Sequence, residues 1–230
     1  MKNYFKYVCY LVIVLSFFAC QETPDNGEQT TENQQVTEEK TVEHQPQPAP
    51  KTLTDEADNG DEAIDRIEQI RADYAATMEK LDNGTLKKIS KEFECEEDHG
   101  GGTLTRYFNG DEIELLEYSI GGEHAWNIQK IYFKNAKPYF VFVEEGAWYF
   151  GGEDGTDDSG ENTVDDIEEI RYYLEDGKVI RKLSKKYLIK SWEEKPKINE
   201  IPNKTVTDGV GKPYPKAEAI PNLLKGKAGC

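Results

Sequence analysis

The clearest fold signal in this chain is the segment "IYFKNAKPYFVF", residues 131–142. Aromatic and apolar residues flank a short polar turn, which is the pattern of a β-hairpin. The segment "RYYLEDGKVIRKL", residues 171–183, repeats this pattern, and "YFNGDEI", residues 107–113, begins a third copy. Because the three turns differ in chemistry and the copies are unevenly spaced, we interpret them as repeated hairpins. A shared ligand code or a regular solenoid repeat would need a constant period.

The regions around the hairpins predict one helix and further strands. Residues 61–84, "DEAIDRIEQIRADYAATMEKLDNG", place apolar residues at helical spacing and end at Asn-Gly. We interpret the apolar stripe as a core-facing surface, with a partner-binding helix as the alternative. Strand patterns follow at residues 103–108, 112–120, 125–133, 138–150, 167–174 and 178–183, and residues 185–195 form either a last strand or a short helix. The expected fold class is α+β, with an N-terminal amphipathic helix packed on an antiparallel β-meander of about six strands.

The first residues of the chain predict secretion. Lys2 and Lys6 precede an apolar run at residues 7–19, which as a helix would span only about 20 Å of a roughly 30 Å hydrocarbon core. A basic start and a short apolar run are typical of a signal peptide. The end of that run, "SFFAC" at residues 16–20, resembles the relaxed lipobox of Bacteroidetes-type outer-membrane lipoproteins. The resemblance implies that Cys20 becomes the lipidated first residue of the mature chain.

The composition divides the chain into four parts. Residues 1–19 are the signal peptide, and residues 20–60 are a polar stalk too poor in apolar residues to fold. Residues 61–195 form the α+β domain. The Pro- and Lys-rich residues 196–230 are either a disordered tail or an extended arm lying across the acidic body. The resemblance implies a lipid-anchored location in the cell envelope, at the outer membrane, with the periplasmic or external face undetermined.

The charge of the chain excludes one class of partner. At a formal net charge of −17, the chain repels the phosphate backbone of nucleic acids. The membrane is therefore expected to be a partner only through the N-terminal lipid.

Metal ligands are sparse in the sequence. The acidic loop at residues 151–166 supplies weak calcium candidates in Asp157, Asp158 and Asp166, but in EF-hand register Gly155 stands where a carboxylate is needed. A solvated loop is the alternative. Cys95 and His99 match one half of a zinc site, without a second ligand pair. We expect neither a metal nor another cofactor.

Catalytic signatures are also incomplete. The segment "DHGGG", residues 98–102, resembles the oxyanion segment of lipases and esterases, but the Gly-x-Ser-x-Gly nucleophile elbow is missing. Acidic residues are so abundant that a glycosidase pair cannot be distinguished from chance. We therefore expect a protein that is not an enzyme.

Two cysteines stand outside the N-terminal segment. Cys95 and Cys230 are the thiols that remain once Cys20 is lipidated, and in an oxidising compartment they either form a disulfide or stay unbridged. A bridge would pin the C-terminal residues back to the start of the sheet.

The strands are rich in aromatic residues, and alternation predicts that about half of them face the core. The others either form cross-strand ladders or bind a sugar or a peptide. The residues concerned are Tyr132, Phe133, Tyr139, Phe140, Phe142, Trp148, Tyr149, Phe150, Tyr172 and Tyr173. The sequence thus favours a membrane-anchored, non-enzymatic binding or accessory module with an envelope protein or a saccharide as partner. The alternatives are an envelope hydrolase and a structural component of an outer-membrane complex. The oligomeric state is left open.

Overall fold

The fold is built on a single antiparallel sheet. The computed structural model describes residues 60–95, 100–152 and 162–229, and in them eight strands form one sheet in chain order. The strands are β1 (Lys87–Glu94), β2 (Gly101–Asn109), β3 (Glu112–Gly121), β4 (Ala125–Lys134), β5 (Lys137–Phe150), β6 (Thr163–Glu175), β7 (Lys178–Lys190) and β8 (Lys204–Val206). The predicted antiparallel meander is confirmed, but the count of six strands is wrong. The additional strands are β1, which is charged on both faces, and β8, which is only three residues long.

Helix α1 (Gly60–Asp82) precedes the sheet and packs on one of its faces, which we call the helix face. Ile67 and Ile70 of the apolar stripe are buried against strand residues. Ion pairs of 2.6 Å link Lys80 to Glu114 and Asp73 to Lys134, near the hairpin turns. The helix stops before Gly84, whose φ of +65° is left-handed and suits glycine. None of the described helices is long and apolar enough to span a membrane.

The three predicted hairpins share one structural device. In each, the strand register shifts within or just after the aromatic pair: between Tyr107 and Phe108, Tyr132 and Phe133, and Tyr173 and Leu174. Such β-bulges increase the local twist and bend the strand. The tyrosine before each bulge lies in the core of the helix face. The repeated motif is therefore a bulged hairpin that places a tyrosine in the core of the helix face.

The hairpin turns follow from their sequences. Asn135 and Ala136 have φ values of +51° and +60°, and Asp176 and Gly177 have +46° and +78°. Two consecutive left-handed residues form the primed turn that matches the twist of a two-residue hairpin.

A second apolar core lies on the other side of the sheet, which we call the opposite face. Strand residues of this core alternate with those of the helix face. They are Leu104, Leu116, Ile131, Phe133, Val141, Val143, Tyr172, Leu174 and Val179. A central strand such as β5 is therefore apolar on both faces, as its sequence "PYFVFV" indicates.

Residues 196–229, which we call the C-terminal arm, supply the cover of this second core. The arm forms β8, wraps around the edge of β7, and ends in the short helix α2 (Ile220–Leu224). Tyr214, Ile220 and Leu223 are buried within the core of the opposite face. The arm is thus an extended segment that completes the folded body, because the apolar residues of β2 to β7 need a second layer.

Candidate functional site

The end of the sheet away from the three hairpin turns carries a group of aromatic rings that α1 does not reach. Alternation along β4 and β5 directs His124, Trp126, Trp148 and Phe150 to the helix face. We call these four residues the aromatic patch. Tyr149, their neighbour in β5, points to the opposite face. We treat this patch as the candidate functional site.

A glycine in the adjacent strand fixes one ring of the patch. Trp126 lies directly across from Gly146 in the strand register, and a Cβ atom at Gly146 would overlap the indole. The Trp126 Nε1 group donates a hydrogen bond of 3.1 Å to Glu144 Oε1. The indole is therefore held against the β5 backbone before any ligand arrives, which reduces the entropy cost of binding.

The other rings extend the patch toward the sheet margin. The ring centroids of His124 and Trp148 are 4.3 Å apart, and those of Trp148 and Phe150 are 5.3 Å apart with an interplanar angle of 82°. Phe150 is 51% exposed. Aromatic side chains of this size are expensive to leave in water, so a contiguous exposed group marks an interaction site more often than a scattered one.

Hydrogen-bond acceptors border the patch. Glu144 lies beside Trp126, and Asp165 is opposite Trp148 in the register. The neighbouring Glu145 lies on the opposite face, where Asn127 Nδ2 donates to its Oε1 at 2.8 Å, so it is not part of the patch. The site therefore combines flat apolar faces with carboxylates, a combination suited to a ligand that has both C–H faces and hydroxyl groups.

A buried charge cluster adjoins the patch on the same face. Glu169 is 5% exposed and accepts from three donors: Arg171 at 2.6 Å, Lys185 at 3.2 Å and Tyr187 at 3.0 Å. Burial lowers the pKa of Lys185, and the neighbouring Glu169 partly offsets this effect. Burial, reinforced by Glu169, raises the pKa of Tyr187.

The C-terminal arm closes this cluster. Lys185 Nζ donates to the Ile198 carbonyl at 3.1 Å, and Arg171 donates to Asn203 Oδ1 at 3.0 Å. Because every member has a partner within the protein, the cluster anchors the first part of the arm to the helix face.

The residues singled out in the sequence have different outcomes. Cys20, His99, Asp157, Asp158 and Cys230 lie outside the described residues. Asp166 is exposed in β6, opposite Ala147 and Leu188. In residues 60–95, 100–152 and 162–229, no three His, Cys, Asp or Glu side chains converge as metal ligands would.

Cys95 is disulfide-bonded, and its surroundings bring it near the end of the arm. Phe93 stacks on Tyr118 with ring centroids 5.6 Å apart, and the Tyr118 hydroxyl donates to the Gly229 carbonyl at 2.9 Å. Tyr118 therefore links Gly229, which precedes Cys230, to Phe93, which lies two positions before Cys95.

The glycine run has a packing explanation. Gly101 and Gly102 belong to β2, and a Cβ atom at Gly102 would overlap the Phe93 ring and the Ser119 carbonyl. Glycine is needed here because neighbouring groups approach the backbone closely. The likeness of this run to an oxyanion segment therefore has a structural cause.

Sequence reasoning found Trp148 and Phe150 but missed Trp126 and His124 as members of the patch. Six of the ten aromatic residues named from the sequence are buried in one of the two cores: Tyr132, Phe133, Tyr139, Phe140, Tyr172 and Tyr173. Trp126 joins the patch because the strand register places it opposite Gly146. The sequence of a single strand does not reveal that register.

No family model, curated protein or solved structure matches this chain.

Proposed function

We propose that this chain is a lipid-anchored, non-enzymatic binding module of the cell envelope that holds a saccharide on the aromatic patch. The observation that carries the proposal is the indole of Trp126, fixed between Gly146 and Glu144 beside the partly exposed Trp148 and the exposed Phe150. Pyranose rings present C–H faces that stack on aromatic rings and hydroxyl groups that donate to carboxylates. A preorganised aromatic surface with acidic neighbours matches both requirements.

The charge of the chain narrows the class of saccharide. With a formal net charge of −17 and Glu144 and Asp165 beside the rings, an anionic polysaccharide would be repelled. The proposed ligand is therefore a neutral glycan.

The hydrolase alternative has one structural feature in its favour and one against it. Glu144 and Glu169 are direct partners in the register of β5 and β6, and they face the same side. Facing carboxylates at that spacing suit a retaining glycosidase. However, the Glu169 carboxylate is buried and already bound by Arg171, Lys185 and Tyr187. A carboxylate held in this way has no access to a glycosidic bond, so we favour binding over hydrolysis.

The envelope location rests on the N-terminal resemblance, and the mature N-terminus tests it. Mass spectrometry of the membrane-extracted protein should show a chain that begins at acylated Cys20. A chain that begins elsewhere, or an unmodified Cys20, would contradict the anchor while leaving the proposed glycan site intact.

The glycan site is tested with a matched pair of variants in one strand. Trp148 and Tyr149 are consecutive and point to opposite faces, and Tyr149 is 49% exposed. Binding of neutral glucose, mannose and N-acetylglucosamine oligosaccharides would be measured by isothermal titration calorimetry. We expect Trp148→Ala to weaken binding by about three- to tenfold, since one stacked ring contributes about 0.5–1.5 kcal/mol, and Tyr149→Ala to leave it unchanged. Equal losses, or no binding of any of these sugars by the unaltered chain at millimolar concentration, would refute the proposal.

A further inference from the structure

The two edges of the sheet are unequal. The β8 edge is short, because β8 pairs with only Lys182, Leu183 and Ser184 of β7. Farther along β7, the arm takes over: Val179 N donates to the Lys212 carbonyl at 2.9 Å, and Gly211 N donates to the Val179 carbonyl at 2.7 Å. Residues 178–184 of this edge are therefore covered by the chain itself, as sheet edges in soluble proteins often are.

The other edge, β1, is open within the described residues. All eight residues of β1 pair with β2 without a register shift, and no described backbone group outside β2 hydrogen-bonds to the strand itself. Seven of the eight residues are exposed. Of the features that protect sheet edges, the strand has three lysines but no proline, glycine or bulge.

The sequence of β1, "KKISKEFE", is complementary to itself. In an antiparallel pair of two copies centred on Ser90, Lys88 of each strand faces Glu92 of the other. Lys88 lies on the helix face, where its ammonium group is 5.9 Å from the centre of the Tyr107 ring, and Glu92 shares that face by alternation. Lys87 then faces Phe93 on the opposite face. The register thus forms two opposite-charge pairs and places a small residue at the two-fold axis.

The local charge also makes β1 a better site for self-association than the acidic remainder of the surface. Residues 87–94 contain three lysines and two glutamates, whereas the whole chain carries −17. Two copies therefore meet at a strand of slightly positive charge, and the Glu side chains supply the attraction.

We infer that two copies of this chain join their sheets through antiparallel β1 strands, with Ser90 facing Ser90 across the two-fold axis. The seam joins two eight-stranded sheets into one continuous sheet. A pairing of one strand per copy buries less surface than a permanent dimer does. Anchoring in a shared membrane would raise the effective concentration of the copies. The inference does not depend on the proposed glycan site.

A cysteine at the axis tests the pairing in the full-length chain in its native membrane. Directly opposed residues of an antiparallel pair lie within disulfide distance, so Ser90→Cys should give a reducible band at twice the mass of the monomer on a non-reducing gel. Lys88→Cys is the matched control. Its two copies would be roughly 13 Å apart along the seam, beyond the reach of a disulfide, so this variant should stay monomeric. A monomeric Ser90→Cys chain, or one bridged to a different protein, would overturn the inference.

Charge exchange provides an independent test that adds no thiol. Self-association of the detergent-solubilised full-length chain would be measured by sedimentation equilibrium. Lys88→Glu turns two attractive pairs into two repulsive ones and should weaken association roughly tenfold. The double variant Lys88→Glu/Glu92→Lys restores both pairs and should restore association. If Lys88→Glu associates as the unaltered chain does, or the double variant stays weak, the lysines of β1 act as edge protection instead and the pairing is wrong.

Discussion

The two ends of this sheet are made from the same residue types and differ in what covers them. At the hairpin end, tyrosines that precede a bulge lie beneath α1, and apolar residues on the reverse side lie beneath the C-terminal arm. At the other end, Trp126, Trp148 and Phe150 extend from the same strands beyond the reach of the helix. Tyr132 is 2% exposed, whereas Phe150, also an aromatic residue in a central strand, is 51% exposed. Aromatic content therefore locates the sheet, and the covering layers decide which rings stabilise it and which remain available for a ligand.

The largest expected change in the free energy of unfolding comes from a comparison of two single variants, each of which removes one ring from one end of the sheet. The Tyr132 ring contacts the rings of Tyr74 and Phe140, with centroids 5.0 and 5.6 Å away. Tyr132→Ala would leave a cavity between α1 and the sheet, and we expect it to lower the free energy of unfolding by about 4 kcal/mol. Trp148→Ala removes a ring that is only partly buried and should cost less than about 1.5 kcal/mol. Urea denaturation followed by circular dichroism measures both values. Equal losses would mean that the far end belongs to the core and is not a free surface.

The hairpins could be predicted from the sequence because the determinants are local. Short polar turns between aromatic and apolar runs predict hairpins without reference to distant residues. The helix could be predicted for the same reason, since Ile67 and Ile70 lie at helical spacing. Outside these segments the sequence pattern does not predict the structure, and β1 is the first example. β1 has charged residues on both faces and no alternation, and it is held in the sheet by its pairing with β2.

The arm and the patch depend on contacts between residues far apart in the chain. Tyr214 is fixed by a 2.9 Å hydrogen bond from its hydroxyl to Gln129, eighty-five positions earlier, and a Pro-rich segment carries no periodicity that would indicate this. The setting of Trp126 likewise depends on a glycine in the next strand. One half of the candidate site could therefore be predicted from "AWYF" in β5, and the other half required the strand register.

The second prediction concerns how the last residues of the arm are held against the opposite face of the sheet. Cys95 is disulfide-bonded, and we propose Cys230 as its partner, since Gly229 accepts a hydrogen bond from Tyr118 beside Phe93. A bridge across so long a loop restricts the unfolded chain, and Cys230→Ser should cost about 3 kcal/mol in urea denaturation. Reductant should destabilise the unaltered chain to the same level and leave Cys230→Ser unaffected. Peptide mapping without reduction that joins Cys95 to another cysteine would contradict the pairing. Glycan binding to the aromatic patch should persist in the variant, because the patch lies on the helix face and the contacts of Gly229 lie on the opposite face.

The smallest expected effect separates the two ends by pH. Burial raises the pKa of Tyr139 above its usual value of 10, and the nearby Asp73 and Glu114 act in the same direction while the bond to Thr77 opposes it. Below pH 10 this tyrosine is protonated in both the folded and the unfolded chain. Above pH 10 it ionises in the unfolded chain while the folded chain keeps its proton, so stability falls as pH rises, by up to about 1.4 kcal/mol per pH unit for one such group.

Tyr139→Phe removes that dependence and keeps the ring. At pH 8 the variant should lose at most about 1 kcal/mol, because the hydroxyl makes a single long contact of 3.4 Å with Thr77. At pH 11 the deficit should shrink or reverse. Urea midpoints of the two chains at both pH values measure the difference, in which other titrating groups such as Lys185 cancel because both chains contain them. A deficit that is constant from pH 8 to pH 11 would mean that Tyr139 ionises as readily in the folded chain as in the unfolded one. The layer formed by α1 would then admit water to the hairpin end, and the contrast between a covered and an open end of the sheet would lose its physical basis.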